Sequence, residues 1–374
     1  PSRYGIGSLG QAAYQFVDFL EASGQTLWQV LPIGVTGFGD SPYQSFSTFA
    51  GNPYFIDLEE LLEQDLLEPA EVQAASQNGS VDRVEYGMLF ETRLPLLKKA
   101  ALRGYGRYGA EEQDFYRENE DWLPDYSLFM ALKKHFSQKP YWEWPKEIRD
   151  REESAMEHYR ELLAEDIRSA EFNQFLFDRQ WRDLKEYASR HEVEIIGDLP
   201  IYVAEDSADT WSHPELFMLD ENRRPTEVAG VPPDAFSAGG QLWGNPIYNW
   251  AKHKETRYAW WVRRLEKAVE RHDLVRIDHF RGFAGYYSVP GGSVNAIGGE
   301  WKKGPGMDLF RTLKEHISTE ALIAEDLGVL DESVRNLLEG TGLPGMKVLL
   351  FGFDGDDSEY LCHNYTYNSV AYIG

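Results

Sequence analysis

Apolar residues follow two rhythms along this 374-residue chain. One is helical. Ala12, Phe16, Phe19 and Leu20 recur at three- and four-residue spacing behind Ser8, a candidate N-cap, and Gly24 closes the run. The other is a series of short, nearly continuous apolar runs: Leu27–Leu31, Glu194–Ile201, Leu274–Ile277, Ala321–Ala324, Met346–Phe351 and residues 368–374. Helical stretches at about 253–271, 307–318 and 331–339 separate the later runs. Strands of this kind, alternating with helices, predict an α/β fold with a parallel sheet covered on both faces.

Between the first and third runs the pattern changes twice. Residues 57–192 are mostly polar-helical, with Phe177, Trp181, Leu184 and Ala188 marking one apolar face, and predict an inserted helical subdomain. The chain therefore divides into 1–56, 57–192 and 193–374. Residues 36–56 and about 204–250 read as long loops rich in Gly, Ser, Pro and aromatics, among them Trp211, Trp243 and Trp250. Ordered loops of that length usually carry function.

Charge gathers where the strands end: Asp198, Asp278 with His279, Glu325 with Asp326, and Asp354. A (β/α)8 barrel of the TIM type places its active site on that rim, built from several strands. A doubly wound sheet also binds ligands there, but the number of contributing strands favours the barrel.

Composition narrows the partners. Lys and Arg number 37 against 62 Asp and Glu, a net charge of −25. That repels nucleic acid and anionic membrane surfaces and suits a neutral substrate. Cys362 is the only cysteine, which rules out an intrachain disulfide and fits a reducing, cytoplasmic setting. Nine histidines show no zinc spacing, and no apolar run is long enough to span a bilayer. The chain opens on Pro1 and closes on Gly374 within a strand-like run, so both ends read as cut.

Arg276 and Asp278 lie two residues apart and face the same side of a strand. In a barrel that side is the interior, where Arg276 would lower the Asp278 pKa and keep it ionised as a nucleophile. Glu325, at the end of the next run, would stay protonated in a less polar setting beside Asp278 and act as acid. Two such carboxylates suit glycosidic-bond cleavage. The competing reading is a buried structural ion pair, with Glu325 merely ending its strand. Gly5-Ile6-Gly7-Ser8-Leu9-Gly10 also matches a dinucleotide fingerprint. However, no strand precedes it, and the next strand ends in Leu31-Pro32 rather than an acid.

Taken together the segments carry a family resemblance. They are Tyr4–Gly10, Trp28-Gln29-Val30-Leu31-Pro32, Gly39-Asp40-Ser41-Pro42-Tyr43-Gln44-Ser45 and Gly51-Asn52-Pro53-Tyr54. Gly197–Val203, Leu242-Trp243-Gly244-Asn245-Pro246, Arg276–Gly282, Ala324–Gly328 and Leu343–Lys347 follow in order. The chain resembles the 4-α-glucanotransferases of glycoside hydrolase family 77. The resemblance implies a (β/α)8 barrel with inserted helical subdomains, truncated here at both ends. It implies retaining transfer of α-1,4-glucan segments between maltooligosaccharides, with glucose as an acceptor and no metal or organic cofactor. Asp278 is then the nucleophile and Glu325 the acid/base. Arg276, His279, Asp198, Ser41, Tyr43, Trp243 and Asn245 bind substrate, and Gly239–Leu242 form a mobile acceptor-side segment. The family also has a third carboxylate, in a Thr-His-Asp-Asn segment expected after Gly374. An α-amylase-like hydrolase and a non-catalytic glucan-binding protein are the alternatives.

Overall fold

Each apolar run predicted as a strand becomes one, and four strands were not foreseen. In the computed structural model, residues 4–37, 39–75, 82–234, 237–328, 330–355 and 358–374 are described. Among them the strands are β1 (Leu27–Gln29), β2 (Glu194–Leu199), β3 (Glu227–Val231), β4 (Gln241–Pro246) and β5 (Leu274–Ile277). They continue with β6 (Gly285–Pro290), β7 (Glu300–Lys303), β8 (Leu322–Ala324), β9 (Gly345–Val348) and β10 (Ser369–Tyr372). The chain divides into two compact units.

The first unit comprises Pro1–Trp28, Ile33–Glu194 and Asp206–Ser212, so the helical residues 57–192 share a unit with the start of the chain. Its centre is the long helix Ala164–Arg190, which buries Phe172, Phe175, Phe177, Trp181, Leu184 and Ala188. Polar residues on the same helix are used as clamps. Gln174 accepts from Gly51 N and donates to Gly51 O, both at 2.8 Å, and Gln180 accepts from Asp57 N at 2.7 Å. A Cβ on Gly51 would lie 2.1 Å from the Phe177 ring, so only glycine fits there.

Gly10, from the fingerprint-like run, has the same explanation: a Cβ there would meet the Asp57 carboxylate at 2.1 Å. Asp57 caps the helix Leu58–Glu63 and accepts from Ser8 Oγ at 2.6 Å. Ser8 is therefore not the cap of the first helix, Gln11–Ala22, whose N-cap is Gly10.

The second unit comprises Gln29–Pro32, Ile195–Glu205 and His213–Gly374. Its main sheet runs in the order β1-β2-β5-β8-β9-β10, and the pairs from β2 to β10 are all parallel. The sheet curls: Tyr372 on β10 donates to Gln29 Oε1 at 2.5 Å, joining the two outermost strands. This is the curled parallel sheet of a TIM-type α/β fold.

The stretch 204–250 is not a simple loop. Together with residues 285–303 it forms a four-stranded antiparallel sheet, β4-β3-β6-β7. Glycine hides these strands from a pattern search yet lets them pair closely. A Cβ on Gly230 would lie 2.4 Å from Gln241 O. The helix expected over 253–271 is two helices, Trp250–Glu255 and Ala259–Arg271, broken where Arg257 and Tyr258 both adopt positive φ. The run Met346–Phe351 leaves the sheet at Val348 and continues as a 3-10 turn. The Asp354 side chain lies outside the described residues.

Candidate active site

Parallel register places the charged strand ends side by side. Asp198 on β2 is the register partner of Arg276 on β5, which in turn pairs with Ile323 on β8, two residues before Glu325. One guanidinium nitrogen serves two acids: Arg276 Nη1 lies 2.6 Å from Asp198 Oδ1 and 2.9 Å from Asp278 Oδ1. Arg276 Nε points at Met346 Sδ on β9, 3.3 Å away.

The two acids differ in access. The Asp198 side chain is 2% exposed and that of Asp278 is 29% exposed. Asp278 thus keeps its second oxygen, Oδ2, open to a ligand while Oδ1 is fixed.

Glu325 is held by backbone. Its Oε2 accepts from His279 N at 2.7 Å and its Oε1 from Leu327 N at 2.9 Å. The first bond depends on His279 adopting a left-handed conformation (φ 54°, ψ 46°), which turns its N–H toward Glu325. A second bond, Phe280 N to Glu325 O at 3.1 Å, locks the same turn.

The electrostatics correct one expectation. Burial raises the Asp278 pKa above its ordinary value, and Asp198 adds to the rise; Arg276 opposes both without reversing them. Arg276 is shared, with its shorter bond going to Asp198, so it offsets the effect of burial on Asp278 only in part. Glu325 is also raised, first by burial and then by the Asp278 charge, against the two backbone N–H bonds. His279 falls to about 4, chiefly through burial and then through Arg281, so its imidazole is neutral at neutral pH.

Trp243 stands against the His279 ring, edge to face, with centroids 4.8 Å apart. It projects from β4, so a sheet rather than a loop fixes it. Asn245, two residues on, is buried and donates to Val203 O at 2.8 Å, tying β4 to the segment that follows β2. The segment Gly239–Leu242 is a hydrogen-bonded turn running into β4: Gly240 N donates to Ser237 O, and Ala296 N donates to Gly239 O. Ser41 and Tyr43 belong to the first unit, where Tyr43 N donates to Ser41 Oγ at 3.3 Å. The second unit thus brings together Asp198, Arg276, Asp278, His279, Glu325 and Trp243.

Sequence reasoning missed Met346 and the Leu327 and His279 amides. Met346 and the His279 amide could not be found without the strand order, whereas the Leu327 amide is a local contact two residues from Glu325 that the turn after β8 signals. Among the described residues no group of three or more His, Cys, Asp or Glu could hold a metal ion. No helix among them is long and apolar enough to cross a membrane.

An arginine among carboxylates on the C-terminal rim of a parallel sheet stands where enzymes of the TIM-type α/β class place their active sites. Comparison with known proteins gives the family. The 4-alpha-glucanotransferase family, glycoside hydrolase family 77, matches residues 1–374, and the chain belongs to it. The chain is 47% identical over 376 residues to a 4-alpha-glucanotransferase of Clostridium butyricum, covering 100% of this chain and 77% of that protein. It is 48% identical over 382 residues to one of Thermus thermophilus, covering 100% and 75%. The amylomaltase of Streptococcus agalactiae, solved in complex with acarbose, superposes with a TM-score of 0.96 at 46% identity. That match covers 100% of this chain and 76% of the amylomaltase.

Proposed function

We propose that the chain moves α-1,4-glucan segments between maltooligosaccharides by double displacement, with Asp278 as nucleophile and Glu325 as acid and then base. The observation that carries the assignment is the unequal treatment of two neighbouring carboxyls. Asp278 has one oxygen fixed by Arg276 and the other open. Glu325 has its two oxygens held by the His279 and Leu327 amides instead of by a cation, and burial beside the Asp278 charge favours the protonated form an acid needs. Glu325 protonates the leaving glycosidic oxygen while Asp278 Oδ2 attacks the anomeric carbon. The new bond is a glycosyl ester, and the leaving chain departs as an alcohol. Glu325, now ionised, takes the proton from the acceptor's 4-hydroxyl, which displaces Asp278 and restores both groups.

Neutral His279 supplies hydrogen bonds to sugar hydroxyls and Trp243 a flat apolar face, while buried Asp198 serves the sugar site through its hold on Arg276. Ser41 and Tyr43 contribute further sugar contacts, and Asn245 acts through the fold of β4. Glucose serves as the smallest acceptor. A reducing, cytoplasmic setting is supported by the single cysteine.

Maltotriose separates transfer from hydrolysis. Transfer yields glucose and longer chains with the number of reducing ends nearly constant. Steady growth in reducing ends would instead assign an α-amylase-like hydrolase. Roles are separated with α-maltosyl fluoride, whose leaving group needs no proton. Glu325→Gln should regain its first step on this donor and Asp278→Asn should not. Equal rescue of both variants would remove the role assignment.

A further inference from the structure

We infer that Arg264 is a positioning residue for the reaction: it fixes the chain beyond Asp198 and so sets how Arg276 is divided between Asp198 and Asp278. The inference rests on the proposed function above.

Arg264 lies on the helix Ala259–Arg271 and is 2% exposed. No carboxylate among the described residues pairs with it. Its guanidinium is spent on main chain and aromatics instead. Nη1 donates to Ile201 O at 2.9 Å and to Tyr248 Oη at 3.1 Å, and Nη2 donates to Pro200 O. Tyr248 Oη donates in turn to the same Ile201 O at 2.8 Å. The guanidinium carbon sits 4.8 Å from the Trp261 ring centroid and 5.4 Å from that of Trp260. A buried cation without a counter-ion is costly, and a neutral side chain could fill the same volume. A planar fork that spans two successive carbonyls while stacking on indoles is something only arginine offers.

The clamped residues, Pro200 and Ile201, follow directly on Asp198 and Leu199. Pro200 restricts Leu199 to extended backbone, and Leu199 O accepts from Asp278 N at 3.0 Å. There is little slack between the clamp and the 2.6 Å contact of Asp198 with Arg276. If the clamp loosens, Asp198 withdraws and Arg276 turns to Asp278. Asp278 faces Arg276 on its own strand, Asp198 from β2 and Glu325 from beyond β8, while Tyr372 on β10 faces the Arg276–Asp198 pair. A fuller share of Arg276 favours ionised Asp278, so the acid limb of the rate profile moves to lower pH.

The test uses Arg264→Met and Arg264→Lys in the full-length protein with maltotriose. Arg264→Met should lower kcat about tenfold with KM changed by less than about twofold, and Arg264→Lys should recover part of the loss. In an Asp198→Asn background the same change should alter kcat by less than about twofold, because the residue acts through Asp198. Equal losses in both backgrounds, or an unmoved acid limb with only a lower Tm, would overturn the inference. Should Arg264→Met fail to fold, Tyr248→Phe removes one hydroxyl of the clamp. Wild-type kcat and acid limb in both Tyr248→Phe and Arg264→Lys would also overturn it. Failure of the wild-type protein to transfer glucan would strike the proposed function alone. The positioning role would still be read from the Asp198–Arg276 contact in crystals of wild type and Arg264→Lys.

Discussion

Two cations held against carboxylates, buried Lys133 and half-buried Arg276, differ in their surroundings. Lys133, in the helical unit, is 2% exposed. It donates to Gln138 O, Lys139 O and Asp206 Oδ2, at 2.9, 3.0 and 2.6 Å. One positive charge meets one carboxylate, and all three ammonium protons are used. Arg276 instead faces Asp198, Asp278 and Glu325, one cation among three carboxylates. Burial raises the pKa of Asp206 and of Asp278 alike, so the direction of a shift does not tell structure from function. Charge balance does. The helical pair is neutral and saturated, whereas the rim carries more negative charge than its cation can hold, with an open oxygen on Asp278.

Four substitutions sharpen that contrast. The largest effect is expected for Asp278→Asn, which should reduce glucose release from maltotriose by about a thousandfold or more while sparing much of the glucan binding. Residual turnover within tenfold of wild type would return the rim to the structural class. Lys133→Met comes next. It leaves Asp206 buried without its cation and should cost about 3–5 kcal/mol in urea unfolding. A loss below about 1 kcal/mol would mean that the pair is not what holds that corner of the helical unit.

The third effect concerns acid. Burial holds the His253 pKa at about 4, below its ordinary value, so the neutral ring is favoured in the fold. That contribution is fully present above about pH 6.5 and is lost as pH falls through about 4. His253→Phe should narrow the stability gap between pH 7 and pH 4 by about 2 kcal/mol, read from Tm or urea midpoints at the two pH values. An unchanged gap would place the acid lability elsewhere.

The smallest effect is the most diagnostic. Asp278 has a raised pKa in the folded state, so its contribution to stability is present at low pH and lost as pH rises through that value. Asp278→Asn should therefore be more stable than wild type near neutral pH, by about 1 kcal/mol, with the advantage disappearing in acid. Burial raises Asp206 as well, but Asp206→Asn leaves the buried Lys133 without its counter-ion, and that loss should outweigh the gain and destabilise the protein at neutral pH.

Much of this was legible in the sequence, for a physical reason. Short, nearly continuous apolar runs ending in charge identify strands and their rim whatever the order of the strands, so Asp278, Glu325 and Arg276 could be singled out as a group. The sharing of Arg276 could not be foreseen. It depends on β2 lying beside β5, and Asp198 is 78 residues from Arg276. The antiparallel sheet was hidden because glycine interrupts its apolar pattern for the sake of close backbone approach, as at Gly230. The break at Arg257 and Tyr258 left no trace either, since neither residue is a usual helix breaker.

The hydrogen bond between Tyr372 and Gln29 joins residues 343 positions apart. During synthesis Gln29 leaves the ribosome long before its partner exists, by about 20–70 s at ordinary elongation rates. Through that interval the outer side of β1 has no mate from β10, and the curl cannot close. Assembly of this sheet is therefore gated by translation rather than by local propensity. A pause late in the message, or a chaperone that shields β1, would change the yield of folded protein without changing its final stability.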